Sequence, residues 1–238
     1  MTAGRRVDDV LPQITPNDRP TSPVEVPHEM RASEDLRILL SESQDDCRDR
    51  QSSTFDQSVA GKELVLFGAG GLGRKILAAL REDGCEPLAF VDNKLAGEVI
   101  DGLRVLLPAE AAQQWGAHAA FVVTIWASWA DTMQEQIRTM RKLGCNTVVT
   151  FVPLLWKYPH LLPHIQVDLP SRVLEQKDRV SKAFELWADE TSRCEFISQL
   201  RWRLWADFGS LNEPIGGQYF QRDIISEFAH LNWPTSLI

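Results

Sequence analysis

The stretch ELVLFGAGGLGRKIL, Glu63–Leu77, decides the fold class. Its apolar run is typical of a strand that is buried on both faces, and the glycines after it lead into a segment with helical spacing. Gly68, Gly70 and Gly73 form the pattern G-x-G-x-x-G. A strand, a glycine turn and a helix in this order predict a turn that binds the phosphates of a nucleotide-type ligand.

The region after this stretch continues to alternate strand and helix patterns. Three further strands are predicted, at EPLAFVD (86–92), AAFVVTIW (119–126) and NTVVTFVP (146–153). Helical patterns lie between them, and this alternation implies βαβ units. We therefore predict an α/β fold with a small Rossmann-like parallel sheet of strand order 3-2-1-4.

Changes in composition divide the chain into four parts. They are a proline-rich disordered tail (1–32), a short helix and linker (33–60), a Rossmann-like nucleotide-binding-type domain (61–158), and a helical arm with a C-terminal segment (159–238). The tail has too few apolar residues to offset the entropy of ordering. Ser33 is expected to cap the short helix, and the arm is expected to contain one long helix, or two collinear ones, from about Ser171 to Phe208.

Composition excludes several classes of protein. Apolar residues make up 44% and charged residues 24%, which is typical of a soluble globular protein. The net charge of −8 argues against nucleic-acid binding. There is no apolar run long enough for a membrane span and no leader segment, so a cytoplasmic location is expected. The four cysteines form no C-x-x-C pair, and His160 and His164 lack a third ligand, so no metal site is predicted.

Each glycine of the turn has a physical role. Gly68 permits a tight turn, Gly70 lets a pyrophosphate approach the backbone, and Gly73 lets the helix pack close to the sheet. Asp92 ends the second strand in FVDN, where an acid accepts hydrogen bonds from the ribose of a dinucleotide. The candidate ligand-binding residues are Gly68, Gly70, Gly71, Gly73, Asp92, Asn93 and Trp126. The alternative is a scaffold whose turn binds nothing.

The ligand and its chemistry remain open at this level. Trp126, in the loop TIWASW, is equally consistent with stacking on a base or sugar and with contacting a lid or a partner. The α/β pattern stops after four predicted strands, and no His, Lys or Tyr occupies a position suited to hydride-transfer chemistry. No catalytic residue is therefore identified. An NAD(P)-binding oxidoreductase domain is one alternative, and a non-catalytic structural or interaction module is another.

Several stretches resemble the N-terminal region of FkbM-type methyltransferases, which depend on S-adenosylmethionine. They are VLFGAGGLGRKILAALREDGCEPLAFVDN (65–93), IDGLRVLLPAEAA (100–112), AAFVVTIW (119–126), and EFISQLRWRLWADFGSL (195–211) with QYF (218–220). In that family a Rossmann-like segment precedes the catalytic domain. The resemblance implies a methyltransferase setting, with a sugar, polysaccharide or small metabolite as methyl acceptor.

The chain departs from that family after QYF. The resemblance would place a turn of the kind VD-x-GA-x-x-G, which binds S-adenosylmethionine, soon afterwards, and no such motif follows. We therefore expect a truncated chain, an accessory module whose methyl-transferring domain is missing, so that enzymatic activity stays open. S-adenosylmethionine is expected only if that domain is supplied, and the protein partner would be a methyltransferase domain or a second chain.

A second resemblance indicates the ligand. The glycine turn, FVDN and DGLRVL are also similar to the N-terminal domain of bacterial sugar acyltransferases, in which this unit resembles a sugar-nucleotide site. The resemblance implies a nucleotide sugar or an NAD-like ligand. Its phosphates would lie at Gly68–Gly73, and its nucleoside or sugar near Asp92, Asn93 and Trp126.

Overall fold

The chain alternates short strands with helices over much of its described length. The structure, a computed structural model, describes residues 28–125, 130–161 and 167–211. Its strands are β1 (Leu64–Phe67), β2 (Ala89–Val91), β3 (Val99–Ile100), β4 (Leu103–Leu106), β5 (Ala120–Val123) and β6 (Thr147–Thr150). Its helices are α1 (His28–Leu39), α2 (Gln44–Val59), α3 (Gly71–Glu82), α4 (Pro108–Trp115), α5 (Ala130–Lys142), α6 (Val152–Lys157), α7 (Pro170–Glu175), α8 (Lys177–Glu185) and α9 (Glu190–Trp205). None of these helices is long and apolar enough to cross a membrane.

Strand β1 is a central strand of the sheet. All four of its residues are buried. It pairs in parallel with β2 on one side, with Val65 opposite Ala89, and with β5 on the other, with Val65 opposite Phe121. A continuous apolar run forms this strand because both of its faces are covered. The carboxyl end of β1 therefore opens into the glycine turn at the middle of one sheet edge.

The predicted α/β class with a Rossmann-like sheet is confirmed, but the strand order differs in detail. Within the described residues the six-stranded sheet has the order β3-β4-β2-β1-β5-β6. The prediction of 3-2-1-4 counted the AAFVVTIW strand, now β5, as the third and placed it beside β2. In the structure β5 pairs with β1, and β4 occupies the outer side of β2.

The difference arises from a hairpin that was not predicted. Strands β3 and β4 run antiparallel, and a two-residue turn of Asp101 and Gly102 joins them, with φ angles of 51° and 81°. Positive φ at both positions is the geometry of a type I′ turn, for which Asp-Gly is a preferred sequence. Arg74 of α3 forms an ion pair with Asp101 at 2.8 Å, which links the hairpin to the helix after the glycine turn.

One cluster of buried apolar side chains surrounds the sheet. Another lies outside the sheet, among helices from both ends of the described chain. We call it the helical cluster; its buried residues are Ala32, Leu36, Leu39, Cys47, Leu174, Phe184, Ile197, Leu200 and Leu204. They come from α1, α2, α7, α8 and α9. The segments expected as a separate N-terminal helix and a C-terminal arm therefore pack together.

Two predictions about the N-terminal segment are wrong. The first helix begins at His28, inside the predicted tail, and not at Ser33. Residues 44–59, expected as a linker, form α2, whose cap Ser43 accepts a hydrogen bond from Asp46 N at 3.1 Å. The rest of the predicted tail, residues 1–27, lies outside the described residues, and the four domain boundaries stay predictions.

The predicted long helix of the arm is also wrong, because three helices, α7 to α9, occupy its place. Asp189 begins the last of them by accepting a hydrogen bond from Ser192 N at 2.9 Å. An N-terminal cap of this kind requires extended backbone at the capping residue, which interrupts a continuous helix. The predicted C-terminal segment from residue 212 onward lies outside the described residues.

Candidate functional site

The glycine turn, Gly68–Gly73, begins directly after β1 at the carboxyl edge of the sheet. Gly68 has a φ of 120°, a conformation that side-chain-bearing residues rarely adopt. Its N–H donates to Val91 O at 2.8 Å. An added Cβ at Gly68 would also lie 2.8 Å from Ile125 Cγ1. Gly68 is therefore required for both the turn and its packing.

The inner side of the turn is closely packed. An added Cβ at Gly73 would lie 1.9 Å from Gly68 O and 3.0 Å from Thr124 Oγ1. The Thr124 hydroxyl, which is buried, lies 2.8 Å from Gly68 O and 3.0 Å from Phe67 O and shares its proton between them. Gly73 thus allows α3 to approach the turn, as the sequence predicts, and Thr124 holds the turn against β5.

The outer side of the turn is open. An added Cβ at Gly70 or Gly71 would meet no atom within 4 Å. No hydrogen bond within the described residues uses the N–H groups of Gly70, Gly71 or Leu72. These groups form the N-terminus of α3, where the peptide dipoles add partial positive charge. An anion could approach the backbone here without displacing a protein group.

Asp92 lies next to the turn, but backbone donors of the protein already surround its carboxylate. Oδ2 accepts a hydrogen bond from Ala69 N at 3.2 Å. Oδ1 accepts from Lys94 N at 2.8 Å and from Leu95 N at 3.3 Å. A carboxylate has about four acceptor positions, so little capacity is left for the two ribose hydroxyls of a dinucleotide. Asp92 ties the end of β2 to the glycine turn.

These elements enclose a cavity of about 430 Å³, a size that suits a small organic ligand. Five of the seven predicted site residues line it, namely Gly68, Gly70, Gly71, Asp92 and Asn93. Gly73 lies beneath the turn, behind Gly68 O. Trp126, predicted to stack on the ligand, lies outside the described residues.

Three polar residues of this cavity were not predicted as site residues. Lys94 directly follows the FVDN motif and brings a cation to the cavity, which its position in the sequence could have indicated. Thr124 ends the apolar run of β5 as a buried polar residue. Gln136 comes from α5, and nothing in the sequence links it to the turn.

The ionisable groups in the described lining are Asp92 and Lys94. Within the described lining there is no His, Tyr or Cys to act as a general acid or base. No group of three His, Cys, Asp or Glu side chains in the described part of the chain could hold a metal ion. This arrangement can bind an anion through backbone N–H groups and one ammonium group.

A larger cavity of about 660 Å³ lies among α7, α8 and α9, and its described lining shares no residue with the first. Volume alone would favour it as the main site. The glycine turn is the stronger candidate for nucleotide binding, because its backbone N–H groups have no partner within the described residues and the outer face of its glycines is free.

No protein-family model matches the chain. No curated protein matches it either. The structure is similar to the crystal structure of methyltransferase FkbM from Methylobacillus flagellatus KT, with a TM-score of 0.52 and 16% sequence identity. The similarity covers 83% of this chain and 54% of that chain, so this chain spans about half the length of its neighbour. At this level of identity the likeness concerns the α/β fold alone.

Proposed function

We propose that this chain is an accessory module of an FkbM-type methyltransferase, that it binds a nucleotide or nucleotide sugar, and that it has no methyl-transfer site of its own. The observation that carries the proposal is the open outer face of the turn at Gly70 and Gly71, whose N–H groups have no partner in the described part of the chain and share a cavity with Lys94. The structural likeness to an FkbM methyltransferase supports the setting through the fold alone.

The contacts suggest how such a ligand would bind. The diphosphate would accept hydrogen bonds from the N–H groups of Gly71 and Leu72, with Lys94 offsetting its second charge. The nucleoside or sugar would extend toward Asn93, which is exposed at the rim of the cavity. Binding of a diphosphate needs no general acid or base. This agrees with a lining that has no His, Tyr or Cys among the described residues.

Two features argue against hydride transfer and methyl transfer at this turn. The three backbone donors on Asp92 compete with ribose hydroxyls, which disfavours the NAD(P)-binding alternative. Methyl transfer would need a site for S-adenosylmethionine, and the turn VD-x-GA-x-x-G that binds it in the family is absent from this sequence. The role of binding module is the remaining one that uses the open glycine face.

Calorimetric titration of the full chain with UDP-glucose, NAD⁺ and S-adenosylmethionine tests the proposal. UDP-glucose is expected to bind the most tightly. Gly71→Ala should abolish that binding, because the new methyl group occupies the space through which the phosphate reaches the backbone. The same methyl group touches nothing in the free protein, so the thermal midpoint should not fall.

Lys94→Gln supplies the second arm. Loss of the ammonium group should weaken UDP-glucose binding about tenfold or more, as expected for a charge-assisted contact. Lys75→Gln is the matched control, since Lys75 is exposed on α3 and does not line the cavity. Tighter binding of NAD⁺ would favour the oxidoreductase alternative, and S-adenosylmethionine binding with methyl transfer would refute the accessory role. No binding of any of the three would favour the interaction module.

A further inference from the structure

The larger cavity, about 660 Å³, lies among the helices of the arm and is independent of the glycine turn. We call it the arginine cavity; its lining residues include Arg172 of α7, Arg179 of α8 and Arg203 of α9, with Asp168 before α7. Among the described lining residues, three positive charges therefore accompany one negative charge, in a chain whose overall charge is −8. Such a local reversal of sign marks a surface that attracts anions.

Arg203 is the most unusual of these groups. It is half-buried, and its guanidinium donates through one nitrogen to the carbonyl and side-chain oxygens of Gln199, both at 3.0 Å. It forms no ion pair with a carboxylate in the described part of the chain. Burial lowers the pKa of Arg203, and the charge of Asp168 only partly offsets this. A partly desolvated cation without a counter-ion is costly unless an anion joins it.

A neighbouring amide fixes the direction of this guanidinium. Gln199 Nε2 donates to Glu195 Oε1 at 2.9 Å, which orients the Gln199 side-chain oxygen toward Arg203. The other two guanidinium nitrogens of Arg203 have no hydrogen-bond partner among the described residues. They can therefore make a bidentate contact, the geometry in which guanidinium groups hold phosphate and carboxylate. Arg179 is restrained in a similar way by Gln176, whose Oε1 it contacts at 3.0 Å.

The cavity wall also has an apolar part. Apart from the amides of Gln176 and Gln199, its other described residues are Val173, Val180, Ala183, Phe196 and Leu200. Phe196 is held edge-on against Phe184, with 5.8 Å between the ring centroids. An inorganic anion would leave this wall exposed to water, whereas a ligand with an apolar part would cover it. The volume lies within the range of sites for small organic molecules.

We propose that the arginine cavity is a second binding site, for an organic phosphate monoester whose phosphate contacts Arg172, Arg179 and Arg203 and whose organic part packs on Phe196. A phosphate monoester carries a charge of about −1.5 to −2 near pH 7, which matches three guanidinium groups and one carboxylate better than a single carboxylate would. The inference stands apart from the proposed function, because no residue is shared with the glycine turn.

Calorimetry on the full chain with phenyl phosphate, inorganic phosphate and phenylacetate tests the site. Phenyl phosphate is expected to bind at one site and at least about tenfold more tightly than either of the others, because only it supplies both the dianion and the apolar group. Tighter binding of phenylacetate would refute the preference for a dianionic group. Equally tight binding of inorganic phosphate would refute the contact between the organic part of the ligand and the apolar wall. Absence of binding at millimolar phenyl phosphate would overturn the site itself.

Charge variants give signatures of opposite sign. Arg172→Gln should weaken phenyl phosphate binding about tenfold or more, and Asp168→Asn should strengthen it, since the carboxylate repels the ligand. Both residues are exposed, so neither change threatens folding. Arg141→Gln on α5 removes the same charge outside the cavity and should leave the affinity unchanged. Equal losses in Arg172→Gln and Arg141→Gln, or weaker binding in Asp168→Asn, would refute the proposal.

Arg203→Met separates ligand binding from a structural role. Methionine keeps much of the apolar volume while removing a half-buried charge, and such replacements are often neutral for stability. The variant should lose phenyl phosphate binding yet unfold cooperatively at a thermal midpoint no lower than that of the parent chain. A variant that unfolds normally and still binds with unchanged affinity would remove Arg203 from the site.

Discussion

Gly73→Ala should damage the fold although it adds a single methyl group. The new Cβ would lie 1.9 Å from Gly68 O, whereas Cβ atoms essentially never come closer than 3.0 Å to such an atom. Thr124 Oγ1, also 3.0 Å from the new Cβ, restricts movement on the other side. Relief therefore requires a backbone shift of more than about 1 Å between α3 and β1, in a region that is close-packed.

The loss of stability in Gly73→Ala can be estimated from the usual effect of adding a methyl group to a packed protein interior. Extra methyl groups in a well-packed interior cost about 1–3 kcal/mol, and a clash with a backbone atom belongs at the upper end. We expect Gly73→Ala to lower the free energy of unfolding by about 3 kcal/mol. For a chain of this size that corresponds to a fall of about 6–12 °C in the thermal midpoint.

Gly71→Ala is the matched comparison. It makes the same chemical change in the first turn of the same helix, but its Cβ meets nothing within 4 Å. Both substitutions remove glycine's extra freedom from the unfolded chain, a gain of about 0.4–1 kcal/mol, so their difference isolates the contact with Gly68. Urea unfolding followed by circular dichroism measures both. Equal midpoints would refute the packing described for the turn.

Three further outcomes follow from buried groups. Thr124→Val should lower the free energy of unfolding in urea by about 1–3 kcal/mol, because Gly68 O loses its hydrogen-bond donor and Phe67 O keeps only the backbone N–H of residue 124. Thr124→Ser should lose only about 1 kcal/mol, the cost of one buried methyl group, and equal losses would contradict the hydroxyl's role. Burial raises the pKa of Cys47 and Cys145 to about 11, so iodoacetamide at pH 8 should label neither in the native chain, as peptide mass spectrometry would show. Burial also raises the pKa of Tyr158, whose hydroxyl donates to Asp83 at 2.5 Å, so stability present below about pH 10 should fall above it. Tyr158→Phe should reduce this loss of stability with rising pH, and the remainder would come from the buried thiols, whose pKa is also raised. An unchanged pH dependence would exclude Tyr158 as a source.

The sequence was sufficient where local pattern and tertiary role coincide. The strand–turn–helix around Gly68 was predicted correctly because an apolar run, a tight turn and an amphipathic helix all indicate the same structure. Helix α4 carries equally local signals, since Pro108 stands at its first position and Glu110 accepts a hydrogen bond from Leu107 N at 2.9 Å. These features depend on neighbours that are close in sequence.

The errors occur where the signal was weak or lay far away in the chain. Helix α2 buries only Cys47, Phe55 and Val59 among polar residues, so it shows little of the apolar periodicity on which prediction relies. The sequence Asp101–Gly102 favours a hairpin turn, but β3 has only two residues, too few to give a strand pattern, and the hairpin was not predicted. The helical cluster could not be predicted, because α1 and α9 are in contact although most of the chain separates them in sequence.

In the candidate site, too, features that depend on neighbours in sequence were predicted, and features that depend on distant residues were not. Sequence patterns placed glycines and an acid together, and the structure brings Gly70, Gly71 and Asp92 to one cavity. Patterns could not show that Ala69, Lys94 and Leu95 would surround the carboxylate with backbone donors, since that depends on how β2 meets the turn.

This arrangement changes what Asp92 can be used to test. Asp92→Ala would leave three backbone N–H groups without their acceptor, and each such group costs about 1–3 kcal/mol if water does not replace it. Ligand binding lost in that variant would then reflect a distorted turn as readily as a missing ribose contact. Gly71→Ala avoids the ambiguity, because its methyl group blocks the approach of a phosphate and disturbs nothing in the free chain. Recognition at this turn is therefore best tested at the phosphates, where backbone N–H groups have no acceptor among the residues that the structure describes.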